Sequence, residues 1–171
     1  MTRAQSFKIF LNHFSKEKLP LVLSDDNVRY FDRKNPPLGS DVIRQFLLQG
    51  EVAEEEDEEM TEYIACTKIP DTKDIHAVVY WRGKLLEYDY ILATYDKNGV
   101  LINKKVIAGL RSDGKSVRRS VATIDEDWII HIVIGEQNQK EELYDPSKSQ
   151  IMTMELMGNG EIIFSLQDEE F

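Results

Sequence analysis

One stretch of this chain has the spacing of a phosphate-binding loop. Gly109-Leu110-Arg111-Ser112-Asp113-Gly114-Lys115-Ser116 places two glycines five residues apart before Lys-Ser. In a P-loop, backbone N–H groups of such a segment cradle phosphates and the lysine reaches them. That chemistry needs a buried strand before the loop and a helix opening after it. Here Val117-Arg118-Arg119-Ser120-Val121-Ala122-Thr123-Ile124 follows, a β-branched run that predicts a strand. The pattern is therefore read as a hairpin loop. What remains is charge: Lys104, Lys105, Arg111, Lys115, Arg118 and Arg119 share residues 104–119 with a single acid, Asp113. Arg111, Lys115, Arg118 and Arg119 are the candidate anion-binding residues.

Other reactive side chains form no pattern. Glu51 to Glu59 holds seven acids and no base, enough oxygen to attract cations or a basic partner, with nothing local to fix ligand positions. It reads as a solvated linker. His13, His76 and His131 are scattered, and His131 sits in an apolar run as a hydrogen-bonded sheet residue. Cys66 lies mid-strand with no activating base nearby, as a small core residue does. Asp96-Lys97-Asn98-Gly99 starts like a calcium loop, but strand residues follow at once. No catalytic residue, cofactor site or metal site is assigned. Tyr80, Trp81, Tyr88 and Tyr90 concentrate aromatic surface on two adjacent strands, and alternation turns some of them outward unless both faces are covered. They are the candidate interface.

Composition narrows the class. A chain of 171 residues with 42% hydrophobic content suits one packed domain. One cysteine allows no internal disulfide, and the apolar runs are strand-sized, so a cytoplasmic protein without a membrane span is expected. The net charge of −10 disfavours nucleic acid, which requires a dense basic face, and is compatible with a basic protein partner.

The elements that must position these residues follow from periodicity and turn chemistry. Phe7, Phe10, Leu11 and Phe14 have helical spacing, and a helix over 3–14 is expected to stop before Leu19-Pro20. Leu19 to Leu23 reads as extended. Ser24-Asp25-Asp26 can cap a short helical turn, and Ser40 or Asp41 a helix running to Gln49. From Glu62 the period becomes two, giving eight candidate strands. The strongest hairpin surrounds Asp96-Lys97-Asn98-Gly99, where Asp96 can bind the backbone two residues on and Gly99 tolerates positive φ. Gly83-Lys84, Gly109 to Ser116, Asp125-Glu126-Asp127 and Gly158-Asn159-Gly160 mark the other turns. Short connections imply antiparallel neighbours. The expected architecture is α+β: a helical N-terminal segment (1–50), an acidic linker (51–61) and an antiparallel β domain (62–171). Its N-terminal helices would pack on a meander of seven to eight strands, curled toward a barrel or split into a sandwich.

The segments Leu19-Pro20-Leu21-Val22-Leu23-Ser24-Asp25 and Leu92-Ala93-Thr94-Tyr95-Asp96-Lys97-Asn98-Gly99-Val100-Leu101-Ile102 resemble small uncharacterised bacterial β-rich proteins. In these a short leader precedes a meander with Asp-x-x-Gly turns, and the resemblance implies no activity. Three function classes stay open. The first is a non-enzymatic protein-binding module with an acidic surface, immunity- or inhibitor-like, facing a basic protein. The second is a small-molecule or anion-binding domain using the basic loop 109–119. The third is the structural subunit of an oligomer.

Overall fold

In the computed structural model, which describes residues 1–51, 60–138 and 149–165, the Asp96–Gly99 turn exposes Lys97 and Asn98 and buries Gly99. Asp96 Oδ1 accepts the N–H groups of Asn98 (2.8 Å) and Val100 (3.0 Å), and Gly99 has φ +82°. This is a type I turn closed by a residue of positive φ, which matches the twist of its strands. A Cβ on Gly99 would stand 2.8 Å from the Phe7 ring, so only glycine lets the turn dock on the N-terminal helix. Gln49 and Arg3 donate to the Gly99 carbonyl from that side.

The turn joins β5 (Glu87–Tyr95) to β6 (Leu101–Ser112). Around this hairpin run β3 (Glu62–Lys68), β4 (His76–Lys84), β7 (Ser116–Ile124), β8 (Ile129–Asn138), β9 (Gln150–Leu156) and β10 (Ile162–Ser165), each antiparallel to the next. Two further strands come from the N-terminal segment. β1 (Ser15–Lys16) pairs parallel with β3, and β2 (Leu21–Leu23) pairs antiparallel with β7. Among the described residues the sheet therefore has ten strands and is mixed, where seven or eight antiparallel strands were expected. Among the described residues it curls without closing, because β1 and β10 end the strand order unpaired with each other.

The first fifty residues are likewise not a helical block. They hold α1 (Arg3–Leu11), α2 (Val28–Lys34), α3 (Ser40–Val42), a 3-10 turn at Asp25–Asn27 and a π turn at Ile43–Leu47, interleaved with β1 and β2. α1 starts in a capping box: Thr2 Oγ1 accepts from Gln5 N–H and Gln5 Oε1 from Thr2 N–H. Ser24 makes no side-chain cap bond, contrary to expectation. Asn35, just after α2, donates at 2.7 Å to both the Ala65 and Cys66 carbonyls, satisfying β3 at its bulge. The acidic run expected as a linker lies outside the described residues apart from Glu51 and residues 60–61.

Two cores explain why β4 and β5 read as nearly continuous apolar runs. Inside the curl, Val79, Trp81, Tyr90 and Leu92 face Ala122, Ile130, Ile132 and Met154. On the outer side, Val78, Tyr80, Ile91 and Tyr95 pack with Phe7, Phe10, Phe14 and Phe46. Both faces of these strands are thus covered, which removes alternation. Phe10 stacks on Phe46 with ring centroids 4.8 Å apart, and Tyr95 donates at 2.8 Å to the Phe46 carbonyl. Burial raises the Tyr95 pKa and keeps that donor protonated. β8 has one covered face and alternates as expected, with Ile130, Ile132 and Ile134 inward and His131 and Val133 outward.

The β4–β5 turn falls at Leu85-Leu86, two residues past the expected Gly83-Lys84, with Leu86 at φ +60°. β6 continues through Gly109 to Ser112, where a loop was expected.

The Asp96 turn recurs at 125–129. Asp125 Oδ1 accepts from Asp127 (2.9 Å) and Ile129 (3.0 Å), and Trp128 takes the positive-φ place of Gly99. Asp125 Oδ2 lies 2.9 Å from His131 Nε2. Desolvation, the largest single influence, opposes ionisation of Asp125, but the His131 and backbone hydrogen bonds together outweigh it and lower the pKa. A carboxylate with a folded pKa below its unfolded value stabilises above the unfolded pKa and loses that contribution as pH falls through the folded one. Asp125→Ala is expected to cost about 1–2 kcal/mol at neutral pH, measured by urea unfolding. The difference from wild type should shrink below about pH 4. A constant difference down to pH 2 would remove the ionised carboxylate from the account.

Candidate functional site

At one end of the curl the interior core opens to solvent. Trp81 on β4 and Tyr88 on β5 stack there, ring centroids 5.5 Å apart and planes 13° apart. Gly83 lies directly opposite Tyr88 in register. A Cβ at Gly83 would stand 2.4 Å from the indole, so this glycine lets the ring lie across the strand toward Tyr88. Trp81 is 8% exposed and Tyr88 37%, so Tyr88 presents the wetter edge of the pair.

These rings floor a groove of ≈410 Å³, within the usual size range of ligand sites. Val28 and Ile64 make its apolar sides. Asp25, Asp32 and Glu62 stand on the lining with one cation, Arg29. α2 brings Arg29 and Asp32, the 3-10 turn before it brings Asp25, and the first residue of β3 brings Glu62. Arg119 Nη2 reaches Asp25 Oδ2 at 3.6 Å and leaves Asp32 and Glu62 without an ion pair among the described residues. Beneath the groove, Tyr90 donates at 2.6 Å to the Ser24 carbonyl and ties the 3-10 turn to the sheet. Burial raises the Tyr90 pKa, so this bond persists to high pH.

The aromatic residues expected at an interface are thus mostly interior. Tyr80 and Tyr90 are each 1% exposed and belong to the two cores, and Trp81 is nearly buried, which leaves Tyr88 at the surface. Their outward placement is corrected by the covering of both faces of β4 and β5.

The four candidate anion-binding residues separate. Arg111 and Arg118 lie opposite one another across β6 and β7. Arg119 is on the other face of β7, directed to Asp25. Lys115 is exposed in the turn. The turn itself is no phosphate cradle. Asp113 Oδ1 accepts the N–H groups of Lys115 (2.8 Å) and Ser116 (2.7 Å), the groups a P-loop would offer to phosphate. Those backbone bonds also lower the Asp113 pKa. No helix opens after Ser116; β7 begins there.

Arg111 Nη2 lies 3.2 Å from Asp89 Oδ1 and 3.0 Å from Glu87 Oε1. Asp89 is 1% exposed and also meets Arg82 Nη2 at 3.1 Å. Glu51 holds Arg82 (3.4 Å) and Lys104 (2.8 Å). Cys66 is fully buried, and burial pushes its thiol pKa up, so it stays a protonated core group. Desolvation, with Lys97 and Lys68 nearby, lowers the His76 pKa. Among the described residues no three His, Cys, Asp or Glu side chains converge as metal ligands, and no helix is long and apolar enough to cross a membrane.

Sequence reasoning missed Asp32, Arg29 and Glu62. Nothing local marks them, because they become neighbours only when α2 packs on β3. Compared with models of protein families, with curated proteins and with solved structures, the chain matches none.

Proposed function

We propose that this protein is a non-catalytic binding module whose partner is a basic protein. A lysine or arginine of that partner enters the groove, lies over the face of Tyr88 and meets Asp32 and Glu62. The observation that carries this reading is the Trp81–Tyr88 stack flooring a groove where Asp32 and Glu62 stand with Arg29, while Asp25 is paired with Arg119. A cation over an aromatic face gains roughly 0.5–2 kcal/mol depending on desolvation. The net charge of −10 steers a basic surface toward the molecule at low salt. An inhibitor of a basic enzyme is the concrete form of this function.

The test uses the whole chain and Arg- and Lys-rich peptides, with Glu-rich peptides as controls, in titration calorimetry. Basic peptides are expected to bind and to weaken with added salt. Tyr88→Ala should weaken binding about fivefold to thirtyfold, the equivalent of about 1–2 kcal/mol, with little loss of stability. Asp32→Asn should flatten the salt dependence. Binding that ignores salt, or survives Tyr88→Ala unchanged, would put the partner elsewhere.

A further inference from the structure

A second cavity lies where β6 and β7 part. β6 pairs with β5 along its length but with β7 only from Gly109 to Ser112. Beyond Ser120, β7 turns away, and β2 takes the place beside it at Ala122 to Ile124. The divergence leaves a slot of ≈200 Å³. Ile107, Ile132, Ile134 and Met152 form its apolar wall, and Arg111, Arg118 and Ser120 its polar end.

Charge at that end is unbalanced. Arg111 and Arg118 are directly opposite, an arrangement of like charges that costs stability unless an anion lies between them. Arg111 is held from one side by Glu87 and the buried Asp89. Arg118 has no ion-pair partner among the described residues, and Glu136, opposite it on β8, makes no ion pair with it. One unpaired guanidinium beside a buried carboxylate suits a single negative charge and repels a second. A guanidinium fork matches the two oxygens of a carboxylate. The four apolar side chains call for a hydrophobic tail. Its size is set by the slot: an apolar cavity of about 150 Å³ accommodates benzene, so this one admits a ring or a branched chain with its carboxylate.

We propose that the slot between β6 and β7 binds a small monoanionic carboxylate with an aryl or branched alkyl tail, its carboxylate on Arg118 and Arg111 and its tail against Ile107, Ile132, Ile134 and Met152. This site is separate from the aromatic groove and stands or falls independently of it.

The experiment titrates the full chain with phenylacetate, phenylacetamide, acetate and inorganic phosphate, followed by calorimetry and by methionine-methyl NMR. Phenylacetate is expected to bind saturably and to move the Met152 methyl, assigned with Met152→Leu. Phenylacetamide, which lacks the charge, and acetate, which lacks the tail, should each bind at least about tenfold more weakly. Arg118→Gln, a substitution at an exposed side chain, should weaken phenylacetate about tenfold, and Lys115→Gln should leave it unchanged. The proposal is overturned if phenylacetate does not bind, or if acetate or phosphate binds as well as phenylacetate. Equal losses from Lys115→Gln and Arg118→Gln, or a Met152 methyl that stays in place at saturation, would overturn it too.

Discussion

Replacing Gly109 with alanine should remove a large share of the folded state's stability, about 3–5 kcal/mol against a typical total of about 5–15. Gly109 has φ +153°, and a Cβ there would stand 2.1 Å from the Tyr88 carbonyl oxygen. The obstacle is backbone, so no side-chain rotation relieves it. The strand cannot move aside either, because Gly109 is paired to Asp89 on one flank and to Ser120 on the other. Shifting it would break both ladders where the sheet makes its bend. Gly114→Ala is the control: its φ is +89°, but a new Cβ meets nothing within 4 Å. That change should cost only about 1 kcal/mol, from backbone strain alone. Urea unfolding of both variants checks the contrast. Equal costs would mean that close approach to Tyr88 is not what selects glycine at 109.

The second large effect belongs to Asp89. Its carboxylate is 1% exposed and sits between Arg82 and Arg111, at 3.1 and 3.2 Å. Removing one member of a buried pair strands the other charge, at a cost of about 3–5 kcal/mol. Asp89→Ala is expected to lose about 3 kcal/mol, because Glu51 at 3.4 Å still compensates part of Arg82. Arg82 Nε is buried without a hydrogen-bond partner among the described residues, so the guanidinium itself is an imperfectly satisfied group. The double variant Arg82→Met, Asp89→Leu should therefore recover most of the loss, since an apolar pair carries no desolvation penalty. A double variant as unstable as Asp89→Ala alone would show that the ion pair does more than neutralise itself.

The legible part of the fold was its local part. All eight strands from Glu62 onward appear within a few residues of where period-two patterns and turn residues placed them. The Asp96–Gly99 turn forms by the anticipated Asp96 bonds, because an Asx turn needs only its own residues and a glycine. The hairpin joining β6 to β7 depends on the same locality: the β-branched run after Ser116 continues as a strand. Gly109 departs from the expected loop. Glycine ordinarily signals a loop, and here it is a strand residue, kept small by a neighbouring backbone that the sequence does not display.

The candidate sites were legible only as residue types. Trp81, Tyr88, Arg111 and Arg118 were singled out, but their exposure and partners were not readable. Tyr80 and Tyr90 looked alike to Tyr88 in sequence and lie in two different cores, because helices from the first fifty residues cover one face and the curl covers the other.

By itself, then, the sequence determined a chain of β-hairpins, their turns and a net charge of −10. Each of these depends on interactions between residues close along the chain or on composition. Tertiary structure decided the rest: β1 and β2 joining the sheet, the groove over Trp81 and Tyr88, and the slot beside Arg118. Those arise where strands part or distant segments meet. A pairing across 50 to 100 residues leaves no periodic trace in either partner, so only the folded geometry reveals it.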